Sequence, residues 1–229
     1  MELWNKPRTW LVIGVVLAAL LLVQQFWHWE VERKEVPPNH FLVRVHLWGQ
    51  DLEPDEIIAL DDDHKGVMLD VLPEGRHFLN PILWESEIHT ATIVPPGKCL
   101  VQIRKYGKRI PPERLARGEF LAGPGERGVL REVLGPGKYY INPYAYEVVE
   151  QDALEIHHNE VGVRTLLWGK DPRELNAPNR SAYVVPEGYR GVQEKPVSPG
   201  THYFNPYVEK IERVDTRSHR VEFKDITFP

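Results

Sequence analysis

The strongest constraint on this chain is a motif that occurs three times: GVMLDVLPEGRHFLNP at 66–81, GVLREVLGPGKYYINP at 128–143 and GVQEKPVSPGTHYFNP at 191–206. In each copy a glycine opens the motif (Gly66, Gly128, Gly191) and a second follows nine residues later (Gly75, Gly137, Gly200). Asn-Pro closes it, as Asn80-Pro81, Asn142-Pro143 and Asn205-Pro206. The opening glycines are 62 and then 63 residues apart. Self-similarity at a fixed period means tandem copies of one small structural unit, each leaning on its neighbours.

A second motif precedes each copy of the first: VPPNHFLVRVHLWG at 36–49, VPPGKCLVQIRKYG at 94–107 and IHHNEVGVRTLLWG at 156–169. The links between the halves, 50–65, 108–127 and 170–190, vary in length and sequence, as loops do and packed strands do not. Val43, Val45 and Leu47 alternate with Arg44 and His46, which predicts a strand with one buried face. Gly66 to Leu72 reads as a second strand. Pro-Gly at 136–137 and 199–200 predicts type II turns, and Pro73-Glu74-Gly75 a turn one residue wider. The aromatic run after each turn suits a strand facing a core. Asn-Pro ends that strand, because proline has no N–H to give to a ladder. A last strand follows, at 147–149 and 211–214. Each unit is then three or four short strands in about 60 residues, near the lower limit for a self-sufficient core, so the modules are expected to stack in a row and share apolar surface. Beyond the N-terminal segment, the one helical signal is near Pro112 to Arg117.

That N-terminal segment is apolar or glycine without a break from Leu11 to Val23. Extended to 10–29 it reaches the roughly 20 residues that cross a hydrocarbon core. Trp4 and Trp10 flank one side and Trp27 and Trp29 the other, like the aromatic belts of a bilayer-spanning helix. Lys6 and Arg8 would also serve as the basic region of a signal peptide. However, no small-x-small cleavage site follows Val23, so the segment reads as an uncleaved anchor. Basic residues on the two sides nearly balance, Lys6 and Arg8 against Arg33 and Lys34. The orientation favoured is a short tail (1–9) inside and the large domain outside the cytoplasm, in the cell inner membrane.

The net charge is −5 and no basic run exceeds two residues, so composition offers no nucleic-acid footprint. Cys99 is the sole cysteine; no intrachain disulfide can form, and the residue reads as a small buried hydrophobe. Asp61-Asp62-Asp63-His64 has oxygen donors for a hard cation without the spacing of a calcium loop, and reads as a solvated link. His157-His158 aligns with Pro37-Pro38 and Pro95-Pro96, a turn position. His77 and His202 are replaced by Tyr139 in the middle copy, which fits packing better than catalysis. Asn179-Arg180-Ser181 is formally a glycosylation sequon. No nucleophile–base pair, metal site or cofactor loop is expected, and the chain is not expected to be an enzyme.

The third copy with its lead-in, VPEGYRGVQEKPVSPGTHYFNPYVEKIERVDTRSHRVEF, resembles the opening of the SPFH domain, also called the band 7 or prohibitin-homology domain. The resemblance lies in Gly191-Val192, Pro199-Gly200, Thr201 to Phe204, Pro206 and the Asp215-Thr216-Arg217 signature. It is specific over 185–223 and moderate over the earlier copies. A weaker architectural resemblance runs to the β repeats of major vault protein. The SPFH resemblance implies a non-enzymatic membrane scaffold that forms rings or cages and regulates membrane proteases. Two features depart from the family: two extra copies precede the recognisable one, and the α/β body and coiled coil do not follow before Pro229.

The sequence therefore predicts a mainly β protein: an N-terminal transmembrane helix followed by tandem small β modules, the last resembling the start of an SPFH domain. The modules are 36–93, 94–155 and 156–229. The expected partners are the lipid bilayer, further copies of the chain and a membrane protease or other membrane protein. A tethered adaptor that does not self-assemble is the alternative.

Overall fold

The computed structural model describes residues 7–174 and 184–217. It is mainly β, with one apolar N-terminal helix followed by small sheets. Helix α1 runs Pro7–Phe26 and continues through a wider π-helical stretch, Trp27–Glu32. The apolar span Trp10–Glu32 is 23 residues long, none of its most apolar stretch is buried, and it is long and apolar enough to cross a membrane. The described residues fall into two compact units. The first takes residues up to 92 together with 138–145; the second takes 93–137 together with 146 onward.

In the first unit the strands are β1 (Arg33–Val36), β2 (His40–His46), β3 (Gly66–Leu72), β4 (Gly75–Phe78) and β5 (Trp84–Thr90). β2 is central, antiparallel to β3 and β5, while β1 pairs with β4 in a separate two-stranded sheet. Three consecutive residues of β2, Phe41, Leu42 and Val43, are buried, where the alternation predicts one buried face. Successive side chains point to opposite faces of a strand, so both faces must be covered. Leu42 packs with Val36 and Leu79 from the β1–β4 side. Phe41 lies against Tyr140, with ring centroids 5.9 Å apart. Tyr140 belongs to the second sequence copy, whose residues 138–145 are part of this unit.

The second unit repeats the scheme. β6 (Thr92–Val94) and β9 (Gly137–Tyr139) each span a boundary between the units. β7 (Lys98–Arg104) is central to β8 (Gly128–Leu134) and β10 (Tyr146–Asp152). β11 (Leu154–Ile156) pairs with β15 (Gly200–His202), as β1 does with β4. β12 (Glu160–Leu166) lies between β14 (Gly191–Gln193) and β16 (Glu209–Asp215), and β13 (Val184–Val185) adds a parallel edge to β14. Helix α2 (Pro112–Ala116) sits where the sequence predicts it. Its Arg114 donates to Glu119 at 3.1 Å and to both oxygens of Glu126 at 2.7 Å, tying down the long link.

Three local expectations need correction. Each copy has at least five strands, because the residues before the Pro-Pro or His-His pair form a strand of their own. The Pro-Gly steps are not type II turns: β8 and β9, like β14 and β15 and like β3 and β4 of the first copy, belong to different sheets, so the chain turns a corner there. Gly75 and Gly200 have φ of 134° and 141°, far from the roughly +80° of a type II turn; they open the next strand in an extended conformation of positive φ. The first copy is no wider at this point, since two residues separate the strands both at 73–74 and at 135–136.

Candidate functional site: the junctions between copies

In the first two copies the central strand pairs with the strand after the link through a bulge. Val43 faces Val71 and Val45 faces Val67, so Met68, Leu69 and Asp70 stand opposite Arg44 alone. Likewise Val101 faces Val133 and Ile103 faces Val129, leaving Leu130, Arg131 and Glu132 opposite Gln102. A bulge frees backbone groups from the ladder, and buried carbonyls need donors. The asparagine of the following copy supplies them. Asn142 Nδ2 donates to the Met68 carbonyl at 2.8 Å and reaches that of Leu69 at 3.4 Å. Asn205 Nδ2 donates to Leu130 at 2.8 Å and reaches Arg131 at 3.5 Å. The other end of each amide holds its own turn: Oδ1 of Asn80, Asn142 and Asn205 accepts the N–H of Ile82, Tyr144 and Tyr207. Asn142 and Asn205 are 2% and 3% exposed. Asn-Pro is thus a staple between copies as well as a strand terminator.

Further contacts support these junctions. In the first unit the Glu74 carboxylate accepts the Asn39 N–H at 2.8 Å and Lys138 Nζ at 3.0 Å. The Asn39 bond, then Lys138, hold its pKa below the ordinary value. Tyr144 donates to Glu87 at 2.6 Å. In the second unit an open cavity of 640 Å³ is lined by Arg131, Arg164, Trp168, Glu187, Asn205 and Glu209, among others. Arg131 lies 4.8 Å over the Trp168 ring. Burial raises the Glu209 pKa, and Arg164 and Arg131 oppose the shift.

The remaining residues singled out in the sequence have structural placements. His77 and His202 each donate from Nε2 at 2.8 Å to a carbonyl of the preceding corner, Pro73 and Ser198. The opening glycines Gly66, Gly128 and Gly191 start β3, β8 and β14. The glycine that closes the first half-motif permits close approach: a Cβ on Gly169 would lie 2.6 Å from the Gly188 carbonyl oxygen. Arg217 folds back on Asp215, with Nη2 at 2.5 Å, and both are exposed. Thr216 N–H donates to Asn159, as Ala91 does to Asn39 and Ala153 to Gly97. This makes the signature region the third instance of a repeated strand end.

Cys99 is buried, and burial raises its thiol pKa. His64 pairs with Asp61 at 2.6 Å, raising the imidazole pKa and lowering that of the carboxyl. Among the described residues no group of three or more His, Cys, Asp or Glu is placed to hold a metal. His157 and His158 lie in the turn before β12. The sequon at 179–181 and residues 218–223 of the SPFH-like stretch lie outside the described residues.

The sequence reading missed the second role of Asn-Pro, and it missed Lys138, Arg131, Arg164 and Glu209. A buried-face asparagine at one fixed position in all three copies was the available signal for the first. No family model matches the chain, and no curated protein matches it.

Proposed function

We propose that this chain is a membrane-anchored, non-enzymatic scaffold of the SPFH or prohibitin-like kind. Its copies assemble laterally at the membrane and organise or regulate membrane proteins such as proteases. The observation that carries this reading is an apolar, unburied 23-residue span joined to a β-repeat body. A tether and a body built from interlocking copies suit presentation of a surface more than turnover of a substrate. The resemblance of 185–223 to the opening of an SPFH domain supports the class. The proposed location is the cell inner membrane with the repeats extracytoplasmic, an orientation supported by Lys6 and Arg8 in the short tail before the span.

The second reading is a tethered adaptor that binds one protein partner without self-assembly. The half-open cavity in the second unit favours it, since a side chain of a partner fits a space of that size. Chemical crosslinking in native membranes separates the two. A ladder of homo-oligomers is expected for the scaffold. Monomers alone, or a single stoichiometric hetero-complex, would overturn it.

A further inference from the structure

The face of each copy that carries Asn-Pro points toward whatever precedes that copy. In the second and third copies a bulged strand covers this face, and the residue three beyond the asparagine is buried: Ala145 is 0% and Val208 6% exposed. The first copy has no preceding strand pair. Its equivalent residue, Leu83, is 41% exposed. No acceptor among the described residues takes the Asn80 amide. Around them Ile82, Leu47 and Trp48 are also exposed. They form one patch, since Trp48 Nε1 donates to the Ile82 carbonyl at 2.7 Å and Leu47 N–H to the Leu83 carbonyl at 3.0 Å. What precedes the first copy is α1.

We infer that the lipid bilayer takes the place of the missing copy, and that Leu47, Trp48, Ile82 and Leu83 are seated in the membrane interface. The inference rests on α1 spanning the membrane. Counted from Trp10, where the apolar span begins, the roughly 20 residues that cross a core of about 30 Å reach Trp29, so the residues that follow, up to Glu32, lie in a headgroup layer only about 5–7 Å deep. The first copy is bonded to that stretch. Leu79 N–H donates to the Glu32 carbonyl at 2.8 Å. Phe78 stacks on His28 with centroids 4.1 Å apart and meets Trp29 edge-on at 6.0 Å. Asn80 to Leu83 follow directly, so the patch begins at headgroup depth.

Its chemistry fits that depth. Trp, Leu and Ile are interfacial and lipid-facing residues. Arg33 and Arg76 both lie over the Trp29 ring, at 5.5 and 5.6 Å, where guanidinium groups meet lipid phosphates. The free Asn80 amide has phosphate and ester oxygens in place of the carbonyls that Asn142 and Asn205 find. The corresponding residues of the other copies, Tyr144-Ala145 and Tyr207-Val208, are smaller or more polar than Ile82-Leu83, as befits faces that meet protein.

The test is site-directed spin labelling of the full chain in phosphatidylcholine–phosphatidylglycerol vesicles. Leu17→Cys, Leu83→Cys and Leu115→Cys are made separately in a Cys99→Ala background. All three labelled positions are exposed in the structure, so the labels do not perturb packing. Collision with oxygen reports lipid and collision with a water-soluble nickel chelate reports water. The expected result is that labels at 17 and 83 favour oxygen, with several-fold less nickel collision than the label at 115. A label at 83 as open to nickel as that at 115, with 17 shielded, would overturn the inference and leave the anchor standing. A label at 83 shielded from both reagents and dipolar-broadened would also overturn it, in favour of a second copy on this face. A label at 17 open to nickel would overturn the spanning helix and the inference together.

Discussion

Asn142 donates its side-chain amide to the Met68 carbonyl at 2.8 Å, across 74 residues of sequence. Asn205 makes the same bond to Leu130 at the same distance, across 75. The motif that recurs in the sequence is therefore a motif of contact between copies. A carbonyl released by the bulge of one copy would lie buried and unpaired without the asparagine of the next, and such a group costs about 1–3 kcal/mol.

The first prediction compares two asparagines. Asn142→Ala loses both the staple and the turn bond to Tyr144, so stability of the first unit should fall by about 2–3 kcal/mol. Asn80→Ala loses only the turn bond to Ile82 and should cost about 1 kcal/mol or less. Urea unfolding of the full chain in detergent, followed by tryptophan fluorescence, measures both. Equal costs would show that the Met68 bond contributes nothing.

Gly200→Val should destabilise the second unit by about 1–3 kcal/mol, the range for a side chain forced into a sparsely populated backbone region. The cost is conformational, because Gly200 has φ of 141° while a Cβ there would meet nothing closer than 3.7 Å. Thermal melting monitored by circular dichroism reads it, and an unchanged midpoint would refute the corner geometry.

Cys99 should resist alkylation in the folded protein. It is buried and its thiol pKa is raised by that burial, and the thiol is a much weaker nucleophile than the thiolate. Iodoacetamide labelling followed by mass spectrometry should show modification only after denaturation. Rapid labelling of native protein would place Cys99 at the surface.

The Glu126 carboxylate accepts the Gly123 N–H and the Arg114 guanidinium, and these bonds hold its pKa below the ordinary 4.5. The unfolded chain therefore takes up the proton first. The stabilisation is fully present above about pH 4.5 and is lost as pH falls through the lower folded-state value. The melting temperature of the second unit should drop on acidification from about pH 5 to about pH 3, and Glu126→Gln should make that drop smaller. An identical pH profile for the variant would show that the group is not linked to folding.

Much of this architecture is legible in the sequence. The spacing of Gly66, Gly75 and Asn80 marks the unit, the run from Leu11 to Val23 marks the helix, and Pro112 marks the short helix of the second link. These are local patterns, and local patterns follow from chain geometry. Pairing is not local. Nothing near Pro136-Gly137 says that the strands on either side enter different sheets, so the common type II turn is the natural and wrong inference. The single buried face expected of β2 failed for the same reason, because Phe41 is covered by Tyr140, about a hundred residues on. The cavity groups Arg131, Arg164 and Glu209 come from three separated strands and carry no common signature.

The most direct test of the account is the particle mass of the intact protein in mild detergent, measured by native mass spectrometry. The scaffold reading predicts a large closed assembly with a defined number of copies. A monomer or dimer under conditions that keep the repeats folded would contradict it and leave the tethered adaptor as the reading that stands.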